Sequence, residues 1–68
     1  MPKTNCFSVR PGSLFNYRGV TYKVLENDTL TCTLHAKEVD KIRPKRIRIG
    51  YHPGQEIFLR WVPHKLRD

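Results

Sequence analysis

The sequence predicts an all-β domain: a small barrel of four to five short antiparallel strands, with one helical or 3-10 turn near residues 36–43. Three observations predict it. Apolar and polar residues alternate with a period of two over residues 20–25, 29–34 and 46–51, the signature of half-buried strands. Turn-forming pairs at Pro11-Gly12, Arg18-Gly19, Asn27-Asp28 and His52-Pro53-Gly54 separate the runs at intervals that suit tight hairpins. The chain has 68 residues, 38% of them hydrophobic. That is one domain, and a closed barrel removes the exposed edges that small sheets otherwise carry. A compact α+β arrangement is the alternative.

The elements follow in order. Residues 1–10 read as a flexible or loosely packed end. Residues 14–17 (Leu14, Phe15, Asn16, Tyr17) form a short apolar-rich strand. In the next strand Val20, Tyr22 and Val24 share one face, with Thr21 and Lys23 on the other. Over 29–34, Leu30, Cys32 and Leu34 oppose three threonines whose β-branching suits a solvated pleat. Asn27-Asp28 would join these two strands, since both residues tolerate left-handed backbone. Val39 and Ile42 are one helical turn apart, and Pro44 stops any continuation, so a short helix or 3-10 turn is expected there. The runner-up is a longer strand 29–38 followed by an irregular basic loop. Residues 46–51 place Ile47, Ile49 and Tyr51 opposite Arg46 and Arg48. His52-Pro53-Gly54-Gln55 fits a type II turn. Residues 56–62 complete the set, with Ile57, Leu59 and Trp61 on one face. Pro63 ends that strand, and 64–68 read as a frayed tail. Tyr17, Tyr22 and Trp61 are assigned to the core.

The stretch Gly12-x-x-Phe15-x-Tyr17-x-Gly19-x-x-Tyr22-x-Val24 resembles the opening strands of SH3-like barrels in the basic DNA-binding domains of transposases and retroviral-type integrases. The resemblance covers residues 12–34, with a general match of strands and turns to residue 62. It implies a five-stranded SH3-like barrel that binds nucleic acid or protein through basic loops. It carries no functional residue over to this chain.

Charge is the most informative property. Thirteen Lys and Arg against six Asp and Glu give a net +7 and a pI near 9.9. Five of those cations, Lys41, Arg43, Lys45, Arg46 and Arg48, fall within residues 41–48 with no acid among them, leaving +2 for the other sixty residues. Concentration matters because phosphate affinity arises when several cations neutralise neighbouring phosphates and release their counterions. Arg adds bidentate contacts to phosphate or guanine that Lys cannot make. Arg60 is expected to extend the patch from a neighbouring strand, with Lys65 at its margin. A face that served only solubility would mix both signs, and this run does not. Tyr51 and Phe58 are candidates for exposed stacking rings beside the cations.

Other chemistry finds little support. Mean hydropathy is −0.59, no apolar run approaches a membrane span, and the start lacks the apolar core of a signal peptide. Cys6 and Cys32 are too few for a disulfide framework and read as reduced thiols. Cys32-x-x-His35 is half a zinc motif, with Cys6, His52 and His64 as scattered complements. There is no Ser-His-Asp set, acidic pair or glycine-rich phosphate loop. His52 in its turn reads as a surface residue.

The expectation is therefore a cytoplasmic, non-enzymatic, basic module without a metal or other cofactor. It contacts DNA or RNA backbone phosphates through Lys41, Arg43, Lys45, Arg46, Arg48, Arg60 and Lys65, as an accessory or regulatory factor. The alternative is an adaptor or inhibitor that sets the basic patch, or a strand edge, against an acidic protein.

Overall fold

The computed structural model describes residues 3–63. It is all-β, with six strands in antiparallel ladders: β1 (Lys3–Asn5), β2 (Leu14–Tyr17), β3 (Val20–Asp28), β4 (Thr33–Glu38), β5 (Arg46–Gly50) and β6 (Glu56–Phe58). Strands β2-β3-β4-β5 form a four-stranded meander, and β1 pairs with β6 in a two-stranded ribbon. One antiparallel bridge, Leu14 to Trp61, ties the chain beyond β6 to the free edge of β2. Among the described residues the only helical segment is a 3-10 turn at Cys6–Ser8, and no helix is long and apolar enough to cross a membrane. The α+β alternative is thereby set aside.

Strand alternation builds the core as the sequence suggested. Phe15, Tyr22, Val24, Leu34 and Ala36 are buried from the meander, joined by Tyr51 and Leu59. Phe15 and Tyr22 are cross-strand partners whose rings stack at 5.8 Å. Arg18 and Gly19 both take positive φ (53° and 80°), the pair of left-handed residues that a tight β2–β3 turn needs. Gly54, at φ 86°, fills the third position of the turn closed by Gln55 N–H to the His52 carbonyl at 3.0 Å.

Four expectations are corrected. The turn between β3 and β4 lies at residues 29–32, not at Asn27-Asp28, and β4 occupies 33–38, not 29–34. The Asp28 carboxylate causes this: it accepts from the backbone N–H groups of Leu30 and Thr31 at 3.1 and 3.3 Å, turning the chain one step later. Leu30 is left 95% exposed at the tip, and Cys32 is half-buried. Second, no helical turn forms at 36–43. The ladder carries β4 to Glu38, Asp40 takes φ 60°, and Ile42 stands 99% exposed, so its spacing from Val39 reports no shared buried face. This is closer to the runner-up reading of a strand to 38 and a basic loop. Third, the strand expected at 56–62 stops at Phe58, with only the bridge at Trp61 beyond it. Trp61 is 53% exposed and Tyr17 39%, so neither belongs to the core. Fourth, residues 3–9 are packed where a loose end was expected. They supply β1, the 3-10 turn and the buried side chains of Cys6 and Val9. The tail expected at 64–68 lies outside the described residues.

Candidate functional site

The β3–β4–β5 register decides where the charges go. Lys23 pairs with Lys37, and Lys37 pairs with Arg46. Directly opposed residues of antiparallel strands put their side chains on the same face. These three cations therefore stand in one row across the sheet, on the face opposite Val24, Ala36 and Ile47. The next row outward is Glu26, His35 and Arg48. Together the two rows hold four cations and a single carboxylate. The phase shift between Val24 and Glu26, a β-bulge at Leu25, keeps both rows on this face although β3 contributes residues three apart to them. Between the strands Leu25, Glu26, His35, Arg46 and Arg48 help line a groove of about 430 Å³.

Arg46 and Arg48 are exposed together, opposite half-buried Ile47 and Ile49, as their alternation implies. Lys41, Arg43 and Lys45 are exposed in the β4–β5 loop. The base of that loop is pinned by Glu38. Its N–H donates to the Lys45 carbonyl at 3.0 Å, and its carboxylate accepts from the Lys45 N–H at 3.2 Å. The loop cations thus spring from the end of the β4–β5 hairpin where Lys37 and Arg46 sit.

Arg60 is exposed but does not neighbour β5, because β6 pairs with β1. Its guanidinium donates to Asn16 Oδ1 on β2 at 3.4 Å, so it joins the face from the opposite end of the sheet order. Lys65 lies outside the described residues. Of the two candidate stacking rings, Tyr51 is buried and only Phe58, 60% exposed, faces solvent. The Phe58 ring, on the β1–β6 ribbon, carries Lys3 Nζ at 5.4 Å from its centre and lines a shallow pocket with Asn16 and Arg60.

Sequence reading missed Lys23 and Lys37. Each sits beside residues of other character, and only strand register brings them to Arg46. Among the described residues the single ion pair is Lys3–Glu56 at 3.5 Å. None of the cations in the rows or the loop has a carboxylate within salt-bridge distance in that set. His35 projects from the Arg48 row, while Cys32 Sγ lies 4.0 Å from the Thr29 carbonyl. Among the described residues no three His, Cys, Asp or Glu side chains come together as a metal site.

No family model matches the chain, and neither a curated protein nor a solved structure is significantly similar to it.

Proposed function

We propose that this chain is a small nucleic-acid-binding module, an accessory or regulatory factor without catalysis of its own. It grips backbone phosphates with the outer face of β3–β5 and with Lys41, Arg43 and Lys45 of the adjoining loop. One observation carries the reading: Lys23, Lys37 and Arg46 are directly opposed across three strands, with no acid interleaved. Like charges placed so are unfavourable in the isolated protein. They become favourable when a polyanion lies across them and its counterions are released. A surface kept only for solubility would alternate the signs along the row. The resemblance of residues 12–34 to SH3-like barrels of DNA-binding domains favours the same class of partner.

The test is a salt titration of binding to duplex DNA and to RNA. For duplex DNA the logarithm of affinity should fall linearly with the logarithm of salt, with a slope of about −0.9 for each phosphate neutralised. Four contacts from Lys23, Lys37, Arg46 and Arg48 would give a slope of roughly −3.6, steeper if the loop engages. Absence of binding to either polymer at low salt would sink the reading.

A second reading has one observation of its own. The outer edge of β5 pairs with no strand among the described residues, which suits strand addition by an acidic protein segment. Recovery of a protein partner after nuclease treatment, with no nucleic-acid affinity, would favour it.

A further inference from the structure

The cation row does not end at Lys23. Lys23 is also the ladder partner of Leu14, and Leu14 is bridged to Trp61. One line of directly opposed residues therefore runs Trp61, Leu14, Lys23, Lys37, Arg46 across five chain segments. It covers four interstrand steps, about 19 Å. At its head lies a groove of about 610 Å³ whose walls include Pro11, Leu14, Trp61 and Pro63, with Lys23 and Arg60 also lining it. Gly12 and Pro63 meet closely there: a Cβ on Gly12 would stand 3.2 Å from Pro63 Cγ.

We infer that the polymer is single-stranded, and that one unpaired base enters this groove and stacks on Trp61 while the following phosphates lie along Lys23, Lys37 and Arg46. The inference rests on the phosphate-binding reading above and names its substrate more narrowly. Three observations carry it. Trp61 is 53% exposed, although its ring is the largest apolar side chain available to a domain of this size. Apolar side chains of Pro11, Leu14, Trp61 and Pro63 line the groove, a surface suited to the face of an aromatic base. The cations begin in the groove itself, at Lys23 and Arg60, and continue from Lys23 in one direction. In a duplex both faces of each base are covered by neighbouring bases, so the ring would have nothing to stack on. A single strand exposes them, and stacking on a side-chain ring tolerates any base.

Trp61 is the only tryptophan, so its own fluorescence reports the groove. The full chain is titrated at low salt with an end-labelled oligothymidylate of about 16 nucleotides, at the upper end of the site size of single-strand-binding OB-fold domains, and with a matched duplex. Tryptophan emission and label anisotropy are followed together. With the single strand, Trp61 emission should be quenched in step with the rise in anisotropy. Trp61→Ala should weaken single-strand binding roughly 5- to 150-fold and leave duplex binding unchanged, and Trp61→Phe should restore most of the loss. The quenching measurement needs no variant, so it stands even if a substitution impairs folding. Binding with no change in emission, or an equal loss on both polymers in Trp61→Ala, overturns the stacked base and leaves the phosphate-binding face intact. No binding of either polymer overturns both. Quenching by polyglutamate in place of nucleic acid would also overturn both and point to an acidic protein.

Discussion

Tyr51 Oη donates a 2.7 Å hydrogen bond to Asn27 Oδ1, and this pair fastens the N-terminal segment to the sheet. The other end of the same amide reaches the carbonyls of Cys6, Val9 and Phe7 at 2.7, 3.1 and 3.3 Å. Its two N–H groups are thus shared among three acceptors of the 3-10 turn and its exit. Tyr51 also meets Phe7 edge-on, with ring centres 5.4 Å apart. A polar side chain on the inward face of β3 therefore replaces a strand as the clamp on residues 6–9.

Breaking that clamp from either side should be unequal. Tyr51→Phe leaves one part-buried oxygen unpaired and should lose about 1–3 kcal/mol of stability. Asn27→Asp is nearly isosteric but removes both N–H donors and sets a carboxylate against three carbonyl oxygens, so it should lose more. Urea unfolding of the two variants measures this, and an Asn27→Asp loss no greater than that of Tyr51→Phe would show that the amide is not the clamp.

The same neighbourhood fixes an alkaline limit. Burial raises the Tyr51 pKa, and the nearby Cys32, Cys6 and Asp28 raise it further, against a smaller lowering from the Asn27 hydrogen bond. Burial also raises the Cys6 thiol. Unfolded, these groups release protons near their ordinary values, about 8.5 for cysteine and about 10 for tyrosine. The folded protein holds its protons longer, so its stability is intact below the unfolded values and falls as pH climbs through them toward the folded ones. Urea midpoints should be flat near neutrality and decline above about pH 8.5, with a second decline above about pH 10 that Tyr51→Phe abolishes. A midpoint that held level to about pH 11 would contradict the burial argument.

Backbone geometry separates two glycines. Gly12 has φ 94° and meets Pro63, while its N–H donates to the Val24 carbonyl at 2.8 Å. Gly12→Ala should therefore destabilise by roughly 1–2 kcal/mol. Gly50 ends β5 without positive φ, and a Cβ added there would meet nothing within 4 Å. Gly50→Ala should hold or raise the melting temperature. Similar losses at both sites would remove the special role given to the Gly12–Pro63 approach.

How far the sequence reached depends on whether a property is local. Alternation within a run placed Arg46 and Arg48 outward and Val20, Tyr22 and Val24 inward, because strand period is written in consecutive residues. Tyr51 shares the phase of Ile47 and Ile49 and is buried with the core, a local signal that its naming as a candidate stacking ring passed over. Trp61 was misplaced because the alternation of Ile57 and Leu59, which still buries Leu59 just past the end of β6, was carried on through the bend at Arg60 to a residue that faces solvent. The hairpin was misplaced because the Asp28 side chain, rather than the tolerant backbone of Asn27-Asp28, makes the turn. The row of Lys23, Lys37 and Arg46 was invisible for a deeper reason. Register belongs to pairs of strands, and these residues are scattered over three of them.

That row makes a final expectation with opposite signs for stability and binding. Lys37 stands between two cations, Lys23 and Arg46, so replacing it with neutral Gln relieves like-charge pairing on both sides. Cross-strand pairs of this kind are worth roughly 0.2–1 kcal/mol each, and Lys37→Gln should be more stable by a similar amount at low salt, with the gain shrinking as salt screens it. The same substitution should weaken nucleic-acid binding and make the salt slope shallower by about 0.9 on duplex DNA. Lys3→Gln provides the contrast. Lys3 is paired with Glu56 on the β1–β6 ribbon, so its loss should not stabilise the fold or change the slope. If Lys37→Gln bound as tightly as the unmodified chain while gaining stability, the cation row would be a burden without a partner, and the phosphate-binding face would have to be sought in the loop alone.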